Sequence, residues 1–271
     1  MIKKIKQISL VVIFIFSMLN GYSQKTSAYF EPKMSFKDGI ELMQKEKYVA
    51  AQKKFENVFK SKMDKNNPLY IQAKFNYAIA AFHLQHRNTE SLLLAFLEEY
   101  SQDNSVNLAN FYLARWHFLK KSYSKCLKSL EITDLYLLSK EDQVEYKYRK
   151  GYSLFATDQK NEAKKYFYEV RNVESKFKSQ ATYYYAHIAY EERHLQTALT
   201  EFLNLKNDEY YASIVPYYII QIYYLQQNYD QIFALAPELY EKSGEKRFTQ
   251  NIKQIDIMMI KKLILRHLKQ E

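Results

Sequence analysis

Turn-forming residues are scarce in this chain: only four glycines and four prolines stand among 271 residues. A sandwich or barrel of short strands needs many more, which argues against an all-β fold. The same scarcity removes the glycine-rich loops that cradle phosphates in nucleotide-binding folds. Cysteine occurs once, at Cys126. No intrachain disulfide can form, so the core alone must hold the chain. The apolar run Ile8–Leu19 is twelve residues long, well short of the roughly 20 that a membrane span requires. What remains is a globular balance, with 47% hydrophobic and 26% charged residues. Aromatics reach 16%, including 26 Tyr and 17 Phe.

Lys3, Lys4 and Lys6, the apolar run, and the small residues Gly21 and Ser23 before Gln24 have the layout of a secretory signal peptide over residues 1–23. The alternative is a single membrane anchor. On the signal-peptide reading the mature chain starts near Gln24 and is exported to the periplasm or cell envelope. No cysteine stands near the cleavage site, so no lipid anchor at a Cys is expected. The formal net charge is +10, of which the N-terminal segment carries +3, residues 245–271 carry +4 and the body only +3. A nucleic-acid partner would want a basic stripe on the folded body, so none is expected.

Helical periodicity runs through nearly everything after Phe36, as in Leu42, Ala51, Phe55, Val58 and Phe59. A small residue recurs in alternate helices at Gly39, Ala78, Ala114, Gly151 and Ala186, with Ile220 in a sixth place. The steps are 39, 36, 37, 35 and 34 residues, the spacing of a stacked array of helix–turn–helix units. A large residue follows nine positions later at the turn (Tyr48, Tyr123, Leu195, Tyr229). A small one comes three beyond that (Ala51, Cys126, Ala163, Ala198), and a large one four further on (Phe55, Leu130, Phe167, Phe202). Two antiparallel helices approach closely where each offers a small side chain, and the large residue fills the space against the next unit.

These segments resemble tetratricopeptide repeats (TPR). The resemblance is carried by Gly151–Val170, Ala186–Leu205 and Gly39–Val58 and covers about six units. It implies an all-α fold, a right-handed solenoid of antiparallel helix pairs (TPR-like superhelix). The expected divisions are a signal peptide at 1–23, a linker at 24–34, six helix pairs at 35–243 and a basic C-terminal helix or cap at 244–271. Three departures stand out. Glu90–Ser91 occupies the place of a small residue, Ile220 and Ile232 take both small places of the sixth unit, and Pro237 falls within its second helix. For the tail there are three readings: a capping helix, a replacement for further repeats in a truncated chain, or a helix making peripheral membrane contact through its basic face.

No catalytic constellation is apparent. His83 and His86, and His187 and His194, lack the carboxylates or cysteines of a metal motif. Glu98–Glu99 and Glu191–Glu192 are sequence neighbours and point to different helix faces. No serine stands in a nucleophile elbow, and Cys126 falls at a packing position, as a buried thiol would. No cofactor, metal or enzymatic activity is expected.

The resemblance further implies that first helices line a concave face. The positions flanking each small residue are Phe75, Ile79 and Phe82; Phe111, Arg115 and Phe118; Tyr148, Tyr152 and Phe155; Tyr183, His187 and Tyr190; Tyr217, Gln221 and Tyr224. They are mostly aromatic, and grade from Phe to Tyr along the chain. Rigid rings suit a peptide or protein groove, in which case they are largely exposed. The alternative is that many are half-buried and only stabilise the stack. TPR modules that clamp a C-terminal carboxylate carry Lys and Asn at such places. Here Arg115 is the lone cation, so an acidic peptide tail is not expected. The function implied is a non-enzymatic scaffold of the cell envelope, with the outer membrane as a candidate location, that binds a segment of another envelope protein. The alternatives are a glycan or small-ligand binder using stacked Tyr rings, or a fragment of a longer TPR protein.

Overall fold

A computed structural model of the protein describes residues 31–235. The segments expected to be signal peptide and C-terminal tail, and Pro237, lie outside the described residues. The described chain divides into two compact units, parted between Leu137 and Leu138. Among the described residues every regular element is a helix.

The first unit holds α1 (31–44), α2 (Tyr48–Lys60), α3 (Pro68–His83), α4 (Thr89–Glu99), α5 (Val106–Leu119) and α6 (Tyr123–Glu131), closed by a 3₁₀ turn at Leu135–Leu137. The second holds α7 (Lys140–Ala156), α8 (Lys160–Arg171), α9 (Lys178–Glu191), α10 (Leu195–Asn204), α11 (Val215–Leu225) and α12 (229–235). Helix α1 thus already covers the last four positions of the expected linker. In each unit successive helices pack on their neighbours in chain order, the arrangement of stacked helix pairs. Starts are signalled locally. Asn67 accepts from the Leu69 amide with Pro68 in the first turn, and the Ser139 hydroxyl accepts from the Asp142 amide at 3.1 Å while donating to its carboxylate at 2.8 Å.

One turn recurs in all six pairs. The first helix ends in a residue with positive φ: Glu46, Gln85, Lys121, Asp158, Arg193 and Gln227. Each stands seven positions after the small residue of its unit. The amide of the next residue reaches back five positions along the turn, as in His194 to the Ala189 carbonyl at 2.8 Å, and the positive-φ residue itself donates to the carbonyl three before it. This is a Schellman cap. The sixth unit has it too, at Gln227 and Asn228, so its two isoleucines do not displace the register.

The packing positions are filled as expected. Ala78 and Ala114, Ala186 and Ile220 are buried in first helices, and Ala51, Cys126, Ala163 and Ala198 are fully buried in second helices, with Phe55, Leu130, Phe167 and Phe202 behind them. A β-carbon on Gly39 would stand 2.5 Å from Cε1 of Phe55, and one on Gly151 3.2 Å from the same atom of Phe167. These glycines therefore mark helices in direct contact. The departure at Glu90–Ser91 also resolves. The turn before α4 is longer, α4 begins at Thr89, and its buried series is Thr89, Leu93 and Phe96. That 4-then-3 spacing matches Ala51, Phe55 and Val58. Thr89 takes the small place, one residue earlier than elsewhere, because its hydroxyl is satisfied by the carbonyls of Ala81 at 3.0 Å and His86 at 2.7 Å.

Candidate functional site

The second unit carries an aromatic arrangement that repeats with the helices. Tyr148 of α7 stacks on Phe177 and Tyr183 of α9 stacks on Tyr211, both with centroids 4.7 Å apart. The two pairs are one repeat apart. A second pair of stacks does the same: Phe167 on Tyr184 at 5.3 Å and Phe202 on Tyr218 at 4.8 Å. In each, the large residue of a second helix lies flat on a tyrosine of the next first helix. Tyr152 and Phe155 meet Tyr184 at 5.1 Å, one edge-on and one tilted. Tyr190 meets Tyr218 edge-on at 5.6 Å.

Hydroxyl groups tie these rows together. The Tyr183 and Tyr218 hydroxyls are 3.3 Å apart, and the Tyr190 hydroxyl donates to Oε1 of Gln221 at 3.1 Å. Burial, reinforced by the Tyr218 contact, pushes the Tyr183 phenol well above the ordinary tyrosine range. Burial does the same to Tyr184 and Tyr211, and it raises Tyr190 as well. Tyr211 is aimed by its loop, where the Asp208 carboxylate accepts from the amides of Tyr210 and Tyr211, both at 3.0 Å.

His187 lies between Phe155 at 6.0 Å, Tyr183 at 6.0 Å and Tyr218 at 5.7 Å. Its Nδ1 is 3.8 Å from Glu191. Burial holds its pKa below the ordinary histidine value, and Lys160 adds to this while Glu191 opposes it. The imidazole is therefore neutral at pH 7.

The expected site residues are placed as follows. Tyr148, Tyr152, Phe155, Tyr183, His187, Tyr190 and Tyr224 are half-buried. Tyr217 is buried. In the first unit Phe82 and Phe118 are half-buried, while Phe111 is fully buried with the Arg115 guanidinium 4.3 Å above its ring. Phe82 meets Tyr112 edge-on at 5.1 Å, and Phe118 meets Tyr123 at 5.8 Å. The expectation that these rings are largely exposed is thus corrected: none is, because each first helix packs against second helices of its own unit. The carbonyls of Phe82, Phe118, Phe155, Tyr190 and Tyr224 have a further task, accepting the amide of the positive-φ residue at each cap.

The positions before the small residues hold rings that sequence reasoning missed. Tyr184 and Tyr218 precede their small residues by two, and Phe177 and Tyr211 by nine. Their 34-residue spacing was the available signal. Among the described residues no group of three or more His, Cys, Asp or Glu side chains is gathered to hold a metal ion, and no helix is long and apolar enough to cross a membrane.

No family model and no curated protein matches the chain. Two solved structures of nearly identical TPR-like repeats from a Podosopora anserina kinesin light chain are similar to it. One is 13% identical, with a TM-score of 0.49, covering 64% of this chain and 92% of that one. The other is 14% identical, with a TM-score of 0.47, covering 65% and 96%. The sixfold cap and the buried small residues carry the architecture by themselves: the described chain is all-α, built of TPR-like helix pairs.

Proposed function

We propose that the protein is a non-enzymatic interaction scaffold of the cell envelope, which binds an extended segment or helix of another envelope protein against the tyrosine-bearing first helices of the second unit. The observation that carries this reading is the repeated tyrosine arrangement. Rings held by stacks on both sides of a 35-residue step keep part of their surface in solvent. Preordered tyrosines offer contact area with little entropy left to lose. A glycan platform is less well supported, since it needs open ring faces and the stacked pairs cover theirs. Export rests on the N-terminal pattern of the sequence. The basic tail is a second surface in this reading, for peripheral contact with a membrane.

The test is capture from envelope extract by the full chain, repeated with Tyr152→Ala and Tyr190→Ala. A true partner is lost from the double variant with at least a roughly tenfold drop in affinity, as for two interface tyrosines. Tyr152→Phe and Tyr190→Phe keep the ring and report on the hydroxyl alone. Equal capture by all variants would remove the tyrosine surface from the proposal. N-terminal sequencing of envelope-fraction protein tests export, with Gln24 the expected first residue and an intact Met1 the opposing result.

A further inference from the structure

Helices α2, α3 and α4 of the first unit enclose a pocket of about 210 Å³. Phe59, Tyr77, Leu92 and Phe96 form its apolar wall, and the carboxylates of Glu56 and Glu99 stand among its lining groups. Glu56 accepts from the Tyr77 hydroxyl at 3.4 Å, and Glu99 from the Tyr100 hydroxyl at 3.0 Å. One ammonium, that of Lys74, also borders the pocket, 5.2 Å from the Phe59 ring centroid and 5.9 Å from that of Tyr70. Lys60 lies 3.9 Å from Glu56 on the solvent side, with 75% of its side chain exposed. Two carboxylates therefore face one lining cation.

The second unit shows what such a place accepts. Counting from the small residues, Phe59 corresponds to Arg171, Tyr77 to Tyr185 and Leu92 to Glu201. There the guanidinium of Arg171 lies 4.6 Å from the Tyr168 ring centroid and 4.5 Å from that of Tyr185, and Nη1 donates to Glu201 at 2.7 Å. The pair is largely buried, with side-chain exposures of 18% and 9%. The chain thus fills this site in one unit with its own arginine. In the other, Tyr77 keeps the ring of Tyr185, Glu56 stands at the place of Tyr168 and Leu92 at that of Glu201, and phenylalanine stands where the arginine would start, so ring and carboxylate are both present but at exchanged positions.

We propose that the pocket of the first unit binds an arginine side chain of a partner protein. The guanidinium packs on the aromatic wall and donates to Glu56 and Glu99, the same kind of contact by which Arg171 stacks on tyrosine and pairs with Glu201, with the carboxylates at other positions. A planar fork stacks on rings and pairs with carboxylates in a way that a lysine ammonium does not. This inference does not depend on the tyrosine surface of the second unit.

The experiment is a titration of the full chain, carrying labelled Leu and Ala methyls, with acetyl-Gly-Arg-Gly-amide, followed by NMR. Leu92 and Ala95 both line the pocket and serve as reporters. Saturable shifts at these two methyls are expected. Binding should be about threefold weaker or worse for the lysine tripeptide, and absent for the uncharged citrulline tripeptide. Glu56→Gln with Glu99→Gln should weaken arginine binding by about fivefold or more, and added salt should act in the same direction. Phe59→Arg supplies an internal occupant and should abolish the shifts. Should that variant fail to fold, the carboxamide pair decides, since both carboxylates can be neutralised without disturbing the core. No saturable shift, equal binding of citrulline, or an unchanged affinity in the carboxamide variant would overturn the proposal.

Discussion

Three residues before the small position stand Phe75 and Phe111 in the first unit, and Tyr148 and Tyr183 in the second. Phe75 and Phe111 are buried, whereas the two tyrosines are half-buried and stacked on rings from the following loop. Phe111 is roofed by a guanidinium from its own helix. A phenol cannot be sealed into a core without a partner for its hydroxyl, and Tyr183 finds one in Tyr218. The difference shows that the small residues fix the helix spacing, while the flanking positions are free to be core or surface. The second unit uses that freedom for a polar aromatic network, and the first for a dry core.

The largest expected effect comes from the large residue behind the small one. Phe167→Ala should cost about 3–5 kcal/mol, and Leu130→Ala in the first unit about 2–5 kcal/mol. Phe167 should stand at the upper end because it also supports Tyr184, and urea unfolding followed by near-ultraviolet circular dichroism would show it. Equal losses would mean that the aromatic network adds nothing to burial.

Gly39→Ala should cost about 1–3 kcal/mol through overpacking against Phe55, less any helix-propensity gain. Gly151→Ala should cost less, because its nearest approach is 3.0 Å, against 2.5 Å at Gly39. Melting temperatures of the two variants test the order.

Alkaline pH acts on both units, since burial raises Tyr48, Tyr77 and Tyr100 in the first as well, but the second holds the connected network. Tyr183, Tyr184, Tyr190 and Tyr211 have folded-state pKa values raised by burial. Their contribution is complete below the unfolded value of about 10 and is lost as pH rises through the folded values. Tyrosinate absorbance should therefore rise together with loss of the aromatic dichroism of the second unit. Titration at ordinary tyrosine pH with the fold intact would contradict the burial of these rings. His187 works in the opposite direction: its pKa is lowered, so its contribution is present above about 6.5 and fades as pH falls through the folded value.

The smallest effect is at the caps. Arg193→Gly should stabilise by about 0.5 kcal/mol, the balance between relief of left-handed strain and the greater freedom of an unfolded glycine. Gln85→Gly, at the longer turn of the first unit, should behave alike if the cap geometry is common to both units.

The fold was largely readable from particular residues. Gly39, Ala78, Ala114, Gly151 and Ala186, with Ile220 in the sixth place, mark the period, and each of the six positive-φ residues falls seven positions after one of them. The slip at Thr89 was hidden because the small place comes one residue early, at the very first position of α4, and a threonine can replace an alanine only where carbonyls receive its hydroxyl. The candidate site was half readable. Tyr148 and Tyr183 were identified, but their partners Phe177 and Tyr211 lie in connections, outside the helical period that guided the search. Burial of Phe111 depends on neighbours from other helices, which spacing along one helix does not report.

The six caps have a consequence for how the chain comes to be folded. None uses glycine, so each bend carries a β-carbon in the left-handed region, at about 1–2 kcal/mol per residue, or roughly 6–12 kcal/mol in all. A helix pair cut out of this chain has a turn that its own backbone disfavours and too few residues to make its helices stable. The bend is imposed by packing from adjacent helices. Excised pairs should therefore stay largely unstructured, and a protease nick in one turn should loosen its neighbours. The smallest self-sufficient piece of this protein is larger than its repeating unit.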